Sequence, residues 1–521
     1  MKHRSLDSRL AWLSDSDNAS RLRRGLRGLE KESLRVDRRG YLSHTRHPPG
    51  LGSALTHPYL TTDYSEALPE LVTPPYPSNW ETLQFLCDLQ IFVARHLEEE
   101  LLWAQSMPCR IPSGDGVPIA VYGSSNPGRM RSVYRRGLGF RYGRAMQTIS
   151  GVHFNYSVPM EFWRLYRDRE RSALGLKDFI SHQYMGAIRN YRRLAWLLIY
   201  LFGASPAFCK SFPTARNPCL RELDADTWFA PHGTSLRMSD IGYRNRSQSE
   251  LQISMNSLDD YLAGMVAAVT TSNPRYETIG VRVDGKYRQL NANTLQIEAE
   301  YYTPIRPKPP ADSPSRPTVA LRESGVRYLE VRTLDLNMLD PLGVNSRQLR
   351  FVEAVLLYCL LTDSPPIDSA ELEEIDARDL LVAREGRRPG LELPCGGRTE
   401  GLADQARVAL AGVRTIAELL DEADDGYVRS VDEQLATVDE PERTPSAQIL
   451  QQLRAEGASF FELALETSRQ QHRYFSELRQ PAEKAAWLEE VARESLEQQA
   501  RLEADSQQSF EDYLREYLAQ V

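Results

Sequence analysis

Four short segments alternate with the period of two that a strand imposes, and their polar faces carry five glutamates, with a His, an Asn and an Arg, where an ordinary half-exposed sheet would show Lys, Thr and Ser. They are LEKESLRV (29–36), GVHFNYSV (151–158), LQIEAEYY (295–302) and YLEVRTL (328–334). In the first, Glu30 and Glu32 share a face. In the second, Val152, Phe154, Tyr156 and Val158 oppose His153, Asn155 and Ser157. The third sets Leu295, Ile297 and Ala299 against Gln296, Glu298, Glu300 and Tyr302. The fourth sets Glu330 and Arg332 opposite Leu329 and Val331. A chain so patterned has to gather carboxylates from distant stretches onto one sheet, and glutamates beside a single His, Asn and Arg point to hard cations.

Glu30 and Glu32 are two residues apart, so their carboxylates point the same way about 7 Å apart. Unpaired on a buried face they would repel, and one pKa would rise. A divalent cation removes that cost. Alone, the pair reads more simply as an exposed edge with partners in Lys31 and Arg35; the repetition across other segments tips the balance. His153 alone would read as a satisfied core histidine and gains weight from Asn155 on the same face. Glu330 with Arg332 reads as an ion pair worth little, or as a metal ligand beside an always-charged donor able to grip a transferring phosphoryl group.

A chain of 521 residues has room for two cores, or for one large catalytic domain with a helical appendage. The net charge of −8 argues against nucleic acid as the main partner. Six scattered cysteines (Cys87, Cys109, Cys209, Cys219, Cys359, Cys395) form no CxxC pair and read as mostly reduced thiols of a cytoplasmic protein. The N-terminus lacks the apolar core of a signal peptide. The most apolar run, LAWLLIYLFG (194–203), falls short of the roughly 20 residues a bilayer span needs. The expectation is a cytosolic monomer that meets neither membrane nor nucleic acid.

Residues 6–28 predict a helical lead-in, 80–103 a long helix, 174–202 a second and 345–362 a third. Strands are expected to dominate 270–335, interrupted by PKPPADSPSRP (307–317) as an unpaired surface loop. After about residue 370 the composition turns to Ala, Glu, Gln, Arg and Leu, with helices expected over 400–435, 446–475 and 482–521. The division expected is a catalytic core over 1–370 and a mainly helical region over 371–521 packed on it.

The stretch RMRSVYRRGLGFRYGR (129–144) mixes six arginines with aromatics, a pattern seen on nucleic-acid surfaces. In a net-acidic chain it is better read as a few arginines for small anions and the rest in ion pairs. GVRVDGKY (280–287) fits GxxxxGK but ends in Tyr, without the hydroxyl that holds Mg²⁺ in a phosphate-binding loop. Its Asp284-Gly285 turn predicts a β-hairpin instead. No HExxH, GxSxG or CxxC motif is present.

The segments RGLEKESLRV (27–36), LGSALTHPYLTTDYSEALPELVTP (51–74), YGSSNPGR (122–129), MQTISGVHFNYS (146–157), TSLRMSDIGY (234–243), LQIEAEYYTPIRPK (295–308) and YLEVRTLDLNMLDPLGV (328–344) resemble the proteobacterial type of glutamate–cysteine ligase. The resemblance implies an α+β fold: a glutamine-synthetase-like core whose curved antiparallel sheet forms a funnel, surrounded by helices. It implies ATP-dependent joining of the glutamate γ-carboxylate to cysteine, with Mg²⁺ or Mn²⁺ as cofactor, as the first step of glutathione biosynthesis. The alternative is a related ligase of the same fold acting on another amine. By matched motif, Glu30, Glu32, Asp63, Glu70, His153 and Glu330 are expected to bind metal, and Arg332 to face the γ-phosphate. Tyr64, Tyr134, Leu138, Gln147, Tyr243 and Tyr302 are expected to line the cysteine pocket. Arg135 and Arg237 would meet substrate carboxylates or the acyl phosphate. Tyr64 stands where Phe is expected and adds a hydroxyl to an aromatic wall. Asn155, Glu298 and Glu300 join the candidates on strand facing alone.

Overall fold

The computed structural model describes residues 6–14, 18–108, 110–111, 116–214, 217–242, 251–311, 315–422 and 426–520. Its frame is a six-stranded sheet of β1 (Leu26–Glu32), β2 (Leu60–Thr62), β3 (Pro69–Val72), β4 (Gly151–Ser157), β5 (Ile305–Lys308) and β6 (Tyr328–Asp335). The strands lie in the order β5-β6-β4-β1-β3-β2, and every pairing is antiparallel. The apolar side chains of the alternating strands, among them Leu29, Val152, Phe154, Leu329 and Val331, are buried. They share one core with the helices that cover that face.

Those helices follow from sequence in a direct way. Helix α1 (Asn79–His96) starts where Ser78 accepts from the Glu81 backbone N–H, a side-chain cap on an otherwise unsatisfied donor. Helix α2 (Asn126–Tyr142) is capped likewise by Ser125. Helix α3 (Leu176–Phe202) carries the apolar run 194–203 and is buried along most of its length; it packs on β5 and β6. Helix α4 (Ser346–Leu361), capped by Asn345, packs on α3. Among the described residues no helix is long and apolar enough to cross a membrane.

Several boundaries differ from expectation. The lead-in is two short helices, Leu6–Ser14 and Asn18–Leu22, and β1 already begins at Leu26. The strand expected over 29–36 breaks after Glu32, and Arg35–Asp37 pairs instead with Glu100–Leu102. That pairing, tied by Arg35 Nη1 to Glu100 at 2.5 Å, takes away the last turn of the helix expected to reach residue 103.

The largest correction concerns 270–335. Leu295–Tyr302 is no strand: Glu298–Glu300 form a 3₁₀ turn. Two buried ion pairs hold that turn, Arg316 Nη2 to Glu298 Oε2 at 3.0 Å and Arg141 Nη1 to Glu300 Oε1 at 2.9 Å. The alternation of polar and apolar residues there reflects those partners and not a pleat. Pro307 does pair in the sheet, opposite Leu329, contrary to the loop expected from residue 307. It can because β5 is an edge strand, where the missing N–H costs no ladder bond. The hairpin at 280–287 is as expected: Arg282–Val283 pairs with Lys286–Tyr287, and Asp284 and Gly285 both take positive φ.

Beyond residue 370 helices dominate: Leu402–Leu420, Tyr427–Asp439, Pro445–Glu456, Phe460–Glu477, Ala482–Ala504 and Phe510–Ala519, with one hairpin, Glu392–Cys395 with Arg398–Gly401. Leu410, Val413, Leu488 and Ala492 belong to the same apolar core as Leu29 and Val152. Cys87, Cys219, Cys359 and Cys395 are free thiols, whereas Cys209 is in a disulfide. Cys109 lies outside the described residues.

Candidate active site

Strand register brings the acids together. Glu30 on β1 faces His153 on β4, and Glu32 faces Glu70 on β3. Glu330 on β6 faces Asn155. His153 Nδ1 lies 3.0 Å from Glu30 Oε2, His153 Nε2 3.8 Å from Glu32 Oε1, and His153 Nδ1 3.9 Å from Glu330 Oε1. One ligand atom each from Glu30, Glu70 and His153 fall within 4.8 Å of one another. Asp63, in the turn after β2, adds its charge to the field at Glu32 and Glu70. Lys31 points to the opposite face, where its Nζ donates to Gln90. With Arg35 on Glu100, neither basic neighbour neutralises the Glu30–Glu32 pair.

Burial pushes the Glu32 carboxyl up to about 8, with Asp63 adding to the rise. Burial, then Glu30, Asp63 and Glu32, lift Glu70 well above the carboxylate range. Glu330 goes the other way: burial opposes ionisation, yet Lys308 at 3.2 Å and Arg332 at 3.3 Å hold it well below. For Glu30, burial and Glu330 raise the pKa, and the His153 bond with Lys308 outweighs them. Burial and then Arg332 lower His153, which keeps the imidazole neutral and fit to ligate. Glu330 Oε2 and Asn155 Oδ1 are buried without a hydrogen-bond partner among the described residues. Buried acids, a neutral imidazole and orphaned oxygens form a donor set that fits hard divalent cations.

Basic and aromatic groups rim this cluster. Arg332 lies over the Tyr302 ring at 5.7 Å. The register of β6 slips by one residue between Val331 and Leu334, and Arg332 stays on the Glu330 face, 3.3 Å from that acid. Arg237 is fully buried, and its Nη2 donates to Arg332 O at 3.0 Å. Arg135 on α2 donates from Nε to the Asp63 carbonyl and lowers the pKa of Glu70 by its charge. Tyr64 is buried, with its hydroxyl against Gly139 of α2. Tyr134 is sunk between Glu300 and Arg135, and burial pushes its phenol up. Leu138 packs on a second apolar cluster that includes Tyr64, and Gln147 sits on the 3₁₀ turn Met146–Thr148. Tyr243 lies outside the described residues.

The glutamate–cysteine ligase family model matches residues 10–382. The glutamate–cysteine ligase of Alcanivorax borkumensis is 46% identical over 99% of this chain and 99% of its own. This chain belongs to the glutamate–cysteine ligase family. The ligase of Shewanella oneidensis is 45% identical over 97% of both chains. Among solved structures, the glutamate–cysteine ligase of Francisella tularensis in complex with AMP is 33% identical, with a TM-score of 0.90 over 95% of this chain and 97% of that one. That likeness carries the α+β architecture across nearly the whole molecule.

Within this family member, two candidates fall away. Glu298 and Glu300 are consumed by Arg316 and Arg141, on a turn and not on a strand. Asn155 does face the acids, its Nδ2 donating to Glu30 Oε1 at 2.8 Å. Two basic groups went unread: Lys308, bound to Glu330, and Arg306, opposite Glu330 in register. Their shared face of Ile305–Lys308 was a legible signal, masked by treating Pro307 as the start of a loop. The arginines of 129–144 make contacts within the chain: Arg129, exposed, over Phe510 at 4.4 Å, Arg131, also exposed, over Tyr122 at 5.6 Å, Arg136 on Tyr287 O at 2.6 Å and Arg144 on Val117 O at 3.1 Å.

Proposed function

We propose that this chain joins the γ-carboxylate of glutamate to the amine of cysteine at the expense of ATP, through γ-glutamyl phosphate. The convergence of Glu30, Glu70 and His153 within 4.8 Å, beside Glu330 and Arg332, carries this reading. The AMP in the Francisella relative supports a nucleotide here.

In the first step a carboxylate oxygen of glutamate attacks the γ-phosphorus and the bond to ADP breaks. Two anions must meet, a repulsion of about 4 kcal/mol at about 4 Å in an effective dielectric of about 20. Arg332, with its guanidinium fixed by Glu330 and Tyr302, offsets that charge as the phosphoryl group transfers. Glu30, Glu32, Asp63, Glu70, His153 and Glu330 would hold Mg²⁺ or Mn²⁺, which when bound supplies charge neutralisation at the phosphates. Arg237 and Arg135 hold substrate carboxylates or the acyl phosphate in line.

In the second step the cysteine nitrogen attacks the acyl carbon, phosphate leaves and the amine loses its proton; Asp63 is the candidate acceptor. Tyr64, Tyr134, Leu138, Gln147, Tyr243 and Tyr302 would wall in the cysteine and keep water from the acyl phosphate. The core over 1–370 carries the chemistry, and the helices over 371–521 brace it from outside.

The test measures ADP release with glutamate, Mg²⁺-ATP and each of cysteine, 2-aminobutyrate, serine and ammonia. Strong preference for cysteine, abolished by Glu330→Gln, is expected. Equal rates with serine would assign a different amine, and normal turnover of the variant would remove the acids from the reaction.

A further inference from the structure

The sheet face that carries the acids does not end at Glu330. Two residues back along β6, on the same face, stands Tyr328, and its partner in register on β5 is Lys308. Both line a cavity of about 300 Å³ at the β5 edge of the sheet, a volume at the small end of what ligand pockets enclose. Its far wall is apolar. Tyr261 and Met265 stand one helical turn apart on the helix Leu258–Thr270, Leu321 comes from the helix Pro317–Ser324, and Pro309 follows the end of β5. No step above uses this space.

The charges around the cavity are unequal. Glu298, the acid on its wall, is taken by Arg316 Nη2 at 3.0 Å and by Thr318 Oγ1 at 2.6 Å. Arg306 Nη2 donates to the carbonyls of Ala299 and Tyr301, while its Nε is buried without a hydrogen-bond partner among the described residues. Lys308 Nζ lies 3.2 Å from Glu330 Oε1, and Arg332 Nη1 lies 3.3 Å from the same oxygen. One carboxylate thus serves two bases, and the Lys308 side chain is the more exposed of them, at 29% against 14%. An apolar slot with a shared cation at the end nearest the acids suits a flat, uncharged ring joined to an anion.

We propose that this cavity takes the base of the nucleotide and that Lys308 binds the phosphates between that base and Arg332. The order along the sheet matches the order along the ligand. From the cavity toward the acids come Lys308 beside Tyr328, then Glu330, then Arg332. A nucleotide lying along β6 meets them with base, inner phosphates and γ-phosphate in turn. The apolar wall shelters the ring from water, and the ammonium of Lys308 serves the phosphates as a point charge. The inference rests on the reading of the acid cluster as the place where ATP reacts, and adds where the rest of the nucleotide lies.

The experiment measures binding of ADP and of inorganic pyrophosphate by calorimetry in Mg²⁺, for the full chain and for its Leu321→Trp, Met265→Phe and Lys308→Gln variants. Leu321→Trp fills the cavity and is expected to raise Kd for ADP about tenfold while leaving that for pyrophosphate within about twofold. Met265→Phe fills the same space less severely and should do the same to a smaller degree, which leaves a readout if Leu321→Trp does not fold. Lys308→Gln takes a charge from the phosphates and should weaken ADP and pyrophosphate alike, by about tenfold. An unchanged Kd for ADP in the folded cavity variants, or equal losses of ADP and pyrophosphate in them, overturns the placement of the base. Unchanged Kd values in Lys308→Gln overturn the role of that lysine. Both results leave glutamate- and cysteine-dependent ADP release by the unaltered chain intact, whereas absence of that release would overturn the reading of the site itself.

Discussion

Glu32 and Glu70 are the residues whose chemistry is most exposed to test, because both are held protonated by their surroundings when no cation is near. A carboxyl whose folded pKa is raised contributes stability fully present below its unfolded value of about 4.3. For Glu32 that contribution is lost as pH rises through about 8. A cation takes the place of the protons, so the gain in Tm from Mg²⁺ should grow from pH 6 to pH 8.5. Calorimetric titration at pH 7 in buffers of different ionisation heat should show protons released on Mg²⁺ binding; a flat buffer dependence would contradict the assignment. Glu300 makes the opposite prediction. Glu300→Gln leaves Arg141 buried without its charge partner, at a cost of about 3 kcal/mol or more in urea unfolding. The Mg²⁺ concentration for half-maximal activity should not move. Glu298 and Glu300 are indistinguishable from Glu30 and Glu32 in sequence. What separates them is an arginine more than a hundred residues away in one case, and that pairing is invisible to a period-of-two reading.

At the scale of elements, β4 and β6 were legible because polar and apolar residues alternate along β4 and along β6 as far as Arg332, with the apolar faces buried. Helices α3 and α4 were legible because long apolar periodicity outweighs everything else over that length. The edge strand β5 was not, since Pro307 reads as a breaker until its edge position is known. The bulge after Val331 could not be read either, since one extra residue changes no local propensity; Arg332 nonetheless keeps the Glu330 face that alternation assigns it. The hairpin at Asp284-Gly285 carries its own prediction. Lys286 is exposed on the second strand of this hairpin, away from the acid cluster's sheet, so Lys286→Ala should leave KM for ATP unchanged. Gly285→Ala meets no neighbour but keeps a positive φ, and should cost about 1 kcal/mol of stability with kcat intact.

The whole molecule ties its helical tail to the frame of the site. Phe510 packs with Val133 of α2 and Leu290, while Ser53 and Ser124 of the core bond to Gln499 and Glu503. Phe510→Ala should cost about 3 kcal/mol by cavity formation. Because α2 also carries Tyr134 and Arg135, its substrate KM values should rise as well, while an Arg501→Ala control on the exposed face should do neither. Composition announced a helical tail, expected to pack on the core, but not the contacts that dock it, which depend on side chains meeting across hundreds of residues. The central claim, that acids from three strands and one turn, with a histidine from a fourth strand, cage cations around a nucleotide, is tested most directly by anomalous diffraction from crystals grown with Mn²⁺ and a non-hydrolysable ATP analogue. Mn²⁺ peaks bounded by Glu30, Glu70, His153 and Glu330, with the triphosphate against Arg332, are predicted. Mn²⁺ bound elsewhere, with that cluster left empty beside bound nucleotide, would contradict it.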